Sequence, residues 1–262
     1  MGKHEVLDRL SPLDMSNLRV EVRGQPMHVA ALMILDGQPD LDVLRGIVER
    51  RLRQAPRLRQ VLYRPAPGLG PPVWVDDQDF DVRQHVRARP LSEPGDEESL
   101  LRACAELNQD TLDRSRPLWQ MWLLTGLAEG RCGLLIRLHH VVADGIAALF
   151  MLGALFDPDS GTQAPDPPPC APGPVPGVTA LAADQLRRQT VRLRALAVRL
   201  GHPGAMVARL SVLARQARQL AREGRAPRVS LNVPVTGRRR VLLIRADLER
   251  ARTVGHAHGA TP

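Results

Sequence analysis

Two adjacent histidines, His139 and His140, are followed by Asp144 and Gly145 in the segment LLIRLHHVVADG. The apolar residues before the pair predict a strand, and the Asp-Gly dipeptide predicts a turn. Because the ordinary pKa of histidine lies near physiological pH, a neutral imidazole there can accept a proton from an attacking hydroxyl or amine. Asp144 is close enough in the chain to hold an imidazole or fix the loop, and Gly145 permits a backbone shape that a Cβ would hinder. In isolation, strand-end histidines beside an ordinary turn explain the segment equally well.

A second candidate lies upstream, in the segment PLWQMW that begins at Pro117. Side chains alternate along a strand, so Trp119 and Trp122 are expected on opposite faces, one toward a core and the other toward a channel. Packing in the core is the favoured interpretation for both rings. Pro117 and Trp119 are nevertheless also candidates for contact with a substrate.

Alternating patterns predict the elements that hold these residues. Apolar or extended runs predict strands at 28–35, 72–75, 119–124 and 132–138, and helical periodicity predicts helices at 41–54, 97–112 and 145–155. Mixed strands and helices in this order predict a layered α/β or α+β fold.

A proline-rich segment, 158–177, divides the chain. Proline lacks a backbone donor and fixes φ, so the segment is predicted to be a linker. Residues 178–226 follow with two amphipathic helical patterns joined by GHPG, which predicts a helical hairpin. Residues 177–262 hold 17 Arg and 4 acidic residues, a balance of +13, whereas the whole chain carries +8. The basic character therefore belongs to the last third.

Three interpretations of this basic hairpin are open. The favoured one is that the arginine-rich faces of the two helices are solvated, and the second is that they bind an anionic lipid surface. Nucleic acid is disfavoured, because aromatic residues make up only 3% of the chain and stacking platforms need them. Three cysteines without a C-x-x-C pair fit a reduced compartment, and no apolar run approaches the length of a membrane span. We therefore predict a cytoplasmic protein, with peripheral attachment to the inner membrane or to lipid inclusions as an option.

Other catalytic motifs are absent from the sequence. It contains no G-x-S-x-G elbow, Walker A sequence, H-E-x-x-H or dinucleotide-binding glycine pattern. The acidic run that begins at Asp76 lacks the Gly and Glu that a calcium loop requires at its sixth and twelfth positions. No metal and no bound cofactor are predicted.

The segment HHVVADG at 139–145 resembles the HHxxxDG pattern of the bacterial wax ester synthase/acyl-CoA:diacylglycerol acyltransferase family. That family is part of a larger group with chloramphenicol acetyltransferase and the condensation domains of peptide synthetases. Other segments resemble the family in the same order, between residues 10 and 240: RLSPLDMSNLRVE with PMHVAALMILDG, PPVWVDDQDFDVRQHVR, LDRSRPLWQMWLLTGL and LNVPVTGRRR.

The resemblance implies acyl transfer from acyl-CoA, as co-substrate, to diacylglycerol or a fatty alcohol. By position in the motif, His140 is the general base, and its imidazolium returns the proton to the CoA thiolate without a covalent enzyme intermediate. Asp144 orients the loop behind it, His139 is a less defined partner, and Gly145 serves the turn. Residues 1–157 are then a half-domain similar to chloramphenicol acetyltransferase.

The resemblance also implies that members of the family are considerably longer, with two similar halves around the catalytic channel. Residues 227–262 are accordingly predicted to be the start of a truncated second domain. Two hypotheses follow. The first is an acyltransferase, either a short form completed by a second-half chain or an N-terminal piece of a longer enzyme, and the second is a catalytically incomplete remnant that binds lipid or a partner protein. A condensation-type, amide-forming domain is a further alternative, which the PLW and opening segments argue against.

Overall fold

The computed structural model describes residues 7–21, 25–143, 153, 155–156, 172–200, 203–223, 229 and 237–260. The helices are α1 (Pro12–Val20), α2 (Leu41–Arg51), α3 (Val82–His85), α4 (Glu97–Leu107), α5 (Val178–Leu200), α6 (Pro203–Glu223) and α7 (Leu248–Ala257). The strands are β1 (His28–Leu35), β2 (Gln60–Tyr63), β3 (Val73–Asp76), β4 (Val86–Pro90), β5 (Trp119–Thr125) and β6 (Cys132–His139). Short 3₁₀ turns cover Leu52–Gln54, Pro56–Arg59 and Ala128–Gly130.

Short polar side chains fix the ends of α2 and α4. At the start of α2, Asp40 Oδ1 accepts the backbone N–H groups of Asp42 and Val43, at 2.8 and 3.1 Å. Helix α4 stops at Leu107, earlier than the expected 112, and the side-chain amide of Asn108 donates to the Cys104 carbonyl oxygen at 2.7 Å. The same carbonyl accepts the backbone N–H of Asn108 at 3.1 Å, so Asn108 binds the last turn of the helix through both its backbone and its side chain.

Strand β6 is an inner strand of a four-stranded sheet with the order β1-β6-β5-β4, and β2 and β3 form a separate two-stranded sheet. It runs antiparallel to β1 and β5, whereas β4 and β5 are parallel. All eight residues of β6 are buried. The mixed sheet with its helices confirms the predicted layered α/β fold, and the histidine pair follows from its most enclosed strand.

The two faces of β6 pack against different helices. Leu134 and Ile136 belong to the larger core, which includes residues of α2, whereas Leu135 packs with residues of α4 such as Leu100. A Cβ on Gly133 would lie 2.7 Å from Leu100 Cδ1. Glycine at this position therefore lets α4 approach the sheet closely.

The first turns of α5 are anchored to the N-terminal part by a buried ion pair between Arg9 and Asp184. Asp184 also accepts hydrogen bonds from Arg187 and Arg188, at 2.8 and 2.9 Å. Burial raises the pKa of Asp184, but the three arginines outweigh it and hold the pKa below its usual value. Beyond this anchor, residues 189–198 of α5 are exposed on all sides.

Most of the remaining expectations fall on described residues. The two predicted hairpin helices are present as α5 and α6, and they contact each other. The helix expected at 145–155 lies outside the described residues except for Gly153 and Leu155, which are helical, as is Phe156 next to it. The predicted linker is described only from residue 172 onward, and there it has no regular secondary structure until α5 begins.

Candidate active site

At the end of β6, the backbone N–H groups of the two histidines donate to the segments that precede the two neighbouring strands. The N–H of His139 donates to the Leu118 carbonyl at 3.0 Å, just before β5, and the N–H of His140 donates to the Met27 carbonyl at 2.9 Å, just before β1. The side chain of His139 is fully buried, whereas His140 is partly exposed. Of the two histidines, His140 is therefore the more accessible to solvent.

Both ring nitrogens of His139 face atoms of the protein. Its Nδ1 accepts the Val141 N–H at 3.1 Å, so the proton of the neutral ring sits on Nε2. Nε2 lies 3.4 Å from Glu21 Oε1, without the geometry of a normal hydrogen bond. Burial lowers the pKa of His139 against the opposing charge of Glu21, which favours the neutral ring.

Glu21 is a buried carboxylate that the sequence analysis missed. Its Oε1 accepts the Met27 N–H at 3.0 Å, and its Oε2 accepts two hydrogen bonds from Arg114, at 2.7 and 3.2 Å. Burial raises its pKa, but the hydrogen bonds from Met27 and Arg114 and the charge of Arg114 outweigh that effect and hold the pKa below its usual value. Glu21 closes the opening RLSPLDMSNLRVE, and Arg114 stands third in LDRSRPLW, so both belong to segments that already carried the family resemblance.

A polar layer continues along the same face of the sheet. His28 of β1 stands opposite His139 in the strand register, and its Nε2 bonds Asn108 Oδ1 at 2.9 Å. Burial, with the charge of Arg137, lowers the pKa of His28 to about 4. Arg137 donates to Gln120 Oε1 at 3.0 Å, and burial lowers its pKa to about 10. His28 is therefore neutral near physiological pH, and Arg137 is the cation of this layer.

The tryptophans lie on opposite faces of β5, as the alternation predicted. Trp119 is 1% exposed, its Nε1–H donates to the Leu58 carbonyl at 2.7 Å, and its ring stacks on His85 with centroids 4.7 Å apart. Trp122 is only partly buried, on the other side. Pro117 and Trp119 both border a cavity of about 190 Å³ that His85 also lines. Trp119 thus fills a core position, and its contact with a substrate remains a prediction.

Several expectations concern chemistry beyond the histidines. Asp144 and Gly145, the last residues of the motif, lie outside the described residues.

Burial raises the pKa of Cys104 to about 11, so this thiol stays protonated and is a poor nucleophile. Within the described ranges, no three His, Cys, Asp or Glu side chains cluster as metal ligands would. The described helices also include none with the length and apolar character to cross a bilayer.

The mixed sheet, with the histidine pair at the end of its inner strand, agrees with the chloramphenicol acetyltransferase-like fold that the resemblance implies. The family model described as "Wax ester synthase/diacylglycerol acyltransferase catalytic domain" matches residues 10–261. The chain belongs to this family, and the resemblance inferred from its motifs is confirmed.

Relatives of two lengths match the chain. The Mycobacterium tuberculosis protein named "Probable diacyglycerol O-acyltransferase tgs3" is 34% identical over 259 residues, 95% of this chain and 96% of that protein. "Probable diacyglycerol O-acyltransferase tgs1" of the same organism is 39% identical over 154 residues, 58% of this chain and 33% of that protein. The wax ester synthase/diacylglycerol acyltransferase from Marinobacter aquaeolei VT8 superposes with a TM-score of 0.59 at 29% identity, covering 97% of this chain and 56% of that one. The expectation of considerably longer relatives is thus right for the last two and wrong for tgs3.

Proposed function

We propose that this protein transfers a long-chain acyl group from acyl-CoA to the hydroxyl of diacylglycerol or a fatty alcohol, with His140 as general base. The observation that carries this assignment is the different burial of the two histidines. His139 is buried and its Nδ1 is occupied by the Val141 N–H, whereas His140 is partly exposed and follows the same strand. Membership of the acyltransferase family supports the reaction class.

In the proposed reaction, the imidazole of His140 takes the hydroxyl proton as the alcohol oxygen attacks the thioester carbonyl. Collapse of the tetrahedral intermediate breaks the C–S bond, and the imidazolium returns the proton to the CoA thiolate. The oxyanion requires hydrogen-bond donors to lower its energy. Acyl-CoA acts as a second substrate, and no bound cofactor takes part in this scheme.

The test is an acyl-transfer assay with long-chain acyl-CoA and either diacylglycerol or hexadecanol. His140→Ala is expected to lower the rate by about 10²–10⁴-fold, the usual contribution of a general base. His258→Ala, at the exposed C-terminal end of α7, is the matched control and should retain the wild-type rate. Robust transfer by His140→Ala would overturn the assignment. Hexadecylamine in place of hexadecanol tests the amide-forming alternative, because a condensation-type enzyme would accept the amine.

A second candidate is binding of lipid or a partner protein with little turnover by this chain alone. It is favoured by large apolar side chains that α5 leaves exposed: Leu186, Val191, Leu193, Leu196 and Val198. Arginines alternate with them along the helix, which suits an anionic lipid surface. Sedimentation with phosphatidylglycerol and with phosphatidylcholine vesicles separates charge-dependent lipid binding from none. Activity that appears only after a second-half chain is added would identify the complementing partner. Robust activity of this chain by itself would show that no such partner is needed.

A further inference from the structure

The carboxylate of Glu21 is connected to the backbone of His140 through a single residue. Glu21 Oε1 accepts the Met27 N–H at 3.0 Å, and the Met27 carbonyl accepts the His140 N–H at 2.9 Å. The same oxygen lies 3.4 Å from Nε2 of His139, whose Nδ1 accepts the Val141 N–H at 3.1 Å. Met27, which binds the His140 backbone, and the ring of His139 beside it therefore both lie against one carboxylate.

Arg114 fixes that carboxylate from the other side. It donates from Nη2 and Nε to Glu21 Oε2, at 2.7 and 3.2 Å, and from Nη2 to the Leu18 carbonyl at 2.8 Å. Oε2 is thus occupied by the guanidinium, and Oε1 is turned toward Met27 and His139. Both Arg114 donors converge on this one oxygen, and charge-assisted hydrogen bonds of this kind are stronger than neutral ones. The Glu21 side chain is 2% exposed, so little water competes for it.

We propose that Glu21 and Arg114 are positioning residues for acyl transfer, which set the location of His140 without touching either substrate. The proposal rests on the proposed role of His140 as base. The pair joins the segment before β1 to the segment before β5, and β6, which carries the histidines, lies between these two strands. The ion pair therefore aligns the strand ends that surround the reacting imidazole.

Glu21→Gln is the informative substitution, because it keeps the shape of the side chain and removes its charge. The amide retains a single acceptor oxygen, so it cannot hold both Met27 and Arg114 as the carboxylate does. We expect the imidazole resonances of His140 to shift and its amide hydrogen to exchange faster. In the acyl-transfer assay, kcat should fall about 10- to 100-fold with KM for both substrates unchanged, because misplacement of a catalytic group by about 1 Å costs up to this factor.

Glu97→Gln is the matched control. Glu97 also pairs with an arginine, Arg245, but it does so at the surface on the first turn of α4. Its substitution should leave the His140 resonances, the amide exchange and kcat as they are in the wild type.

Arg114→Lys and Glu21→Asp are the milder variants, which decide the matter if Glu21→Gln does not fold. Both keep the charge of their side chain, so we expect partial recovery of kcat and of the His140 resonances relative to the neutral variants. A folded Glu21→Gln with His140 resonances and amide exchange identical to the wild type would refute the proposal, as would a rise in KM alone. Magnetic resonance needs no turnover. If the wild-type chain transfers no acyl group, the proposed function fails while the positioning role is still decided.

Discussion

Replacement of Trp119 by phenylalanine separates its two interpretations, because a core role and a substrate role predict different losses. Trp119→Phe keeps a ring that can stack on His85 but removes the Nε1–H that donates to the Leu58 carbonyl at 2.7 Å. Leaving that buried acceptor without a partner costs about 1–3 kcal/mol. The smaller ring leaves a cavity on the order of 40 Å³, which at about 24 cal/mol per Å³ adds about 1 kcal/mol. The free energy of unfolding should therefore fall by about 2–4 kcal/mol.

Urea denaturation followed by circular dichroism measures this loss as a fall of about 1 M in the unfolding midpoint. Trp122→Phe is the matched control: its indole lies 3.4 Å from Gln120 Oε1 and is only partly buried. Its substitution should cost less than about 1 kcal/mol, as weak, solvent-accessible contacts usually do. The core argument fails if Trp119→Phe unfolds at the wild-type urea concentration while its KM for acyl-CoA rises, since that combination identifies a substrate contact.

Two further predictions concern the sheet. Burial lowers the folded-state pKa of His28 from 6.5 to about 4, so the unfolded chain binds more protons between these values and stability falls as the pH drops from 6.5 toward 4. His28→Gln should flatten this dependence in urea titrations at several pH values, and an unchanged slope would contradict a neutral, buried His28. Gly133→Ala would place a Cβ 2.7 Å from Leu100 Cδ1, so it should lower stability by about 1–3 kcal/mol. Differential scanning calorimetry measures this loss. In the double variant with Leu100→Ala, the total loss of stability should be smaller than the sum of the losses in the two single variants. Strict additivity would show that the clash does not occur.

The elements that the sequence predicts best are those whose patterns are strictly local. The apolar run at 28–35 is β1 with the same bounds, and the runs at 119–124 and 132–138 are β5 and β6, each one residue longer. Strands β2 and β4 were not predicted. Both are short. Strand β2, with the sequence QVLY, lacks alternation, and β4 alternates between apolar residues and arginine for only four residues before it reaches a proline. Strand β2 pairs with β3, the next strand along the chain, whereas β4 pairs with β5, which places Val86 opposite Met121.

The candidate site also has one part that could be predicted from the sequence and another that could not. The histidine motif is contiguous and could be read directly, whereas the pairing of Glu21 with Arg114 spans 93 residues and exists only because β1, β6 and β5 are neighbours. A lone glutamate after a short helix has no distinguishing local pattern. Only the three-dimensional arrangement shows that it is buried and that its acceptors are taken up by the residues around the histidines.

The polar layer at this end of the sheet places side-chain nitrogens of His28, Arg137 and His139 out of contact with solvent. Three of its buried nitrogens have no hydrogen-bond partner in the part of the chain that the structure describes: His28 Nδ1, Arg137 Nε and His139 Nε2. Each such group costs free energy that an apolar side chain of similar size would not. A fold selected only for stability would replace them, since the same sheet is apolar on its other face. Their place on the face of the sheet that holds His139, next to the proposed base in the chain, is the pattern expected if the electrostatics of this layer serve the proposed reaction.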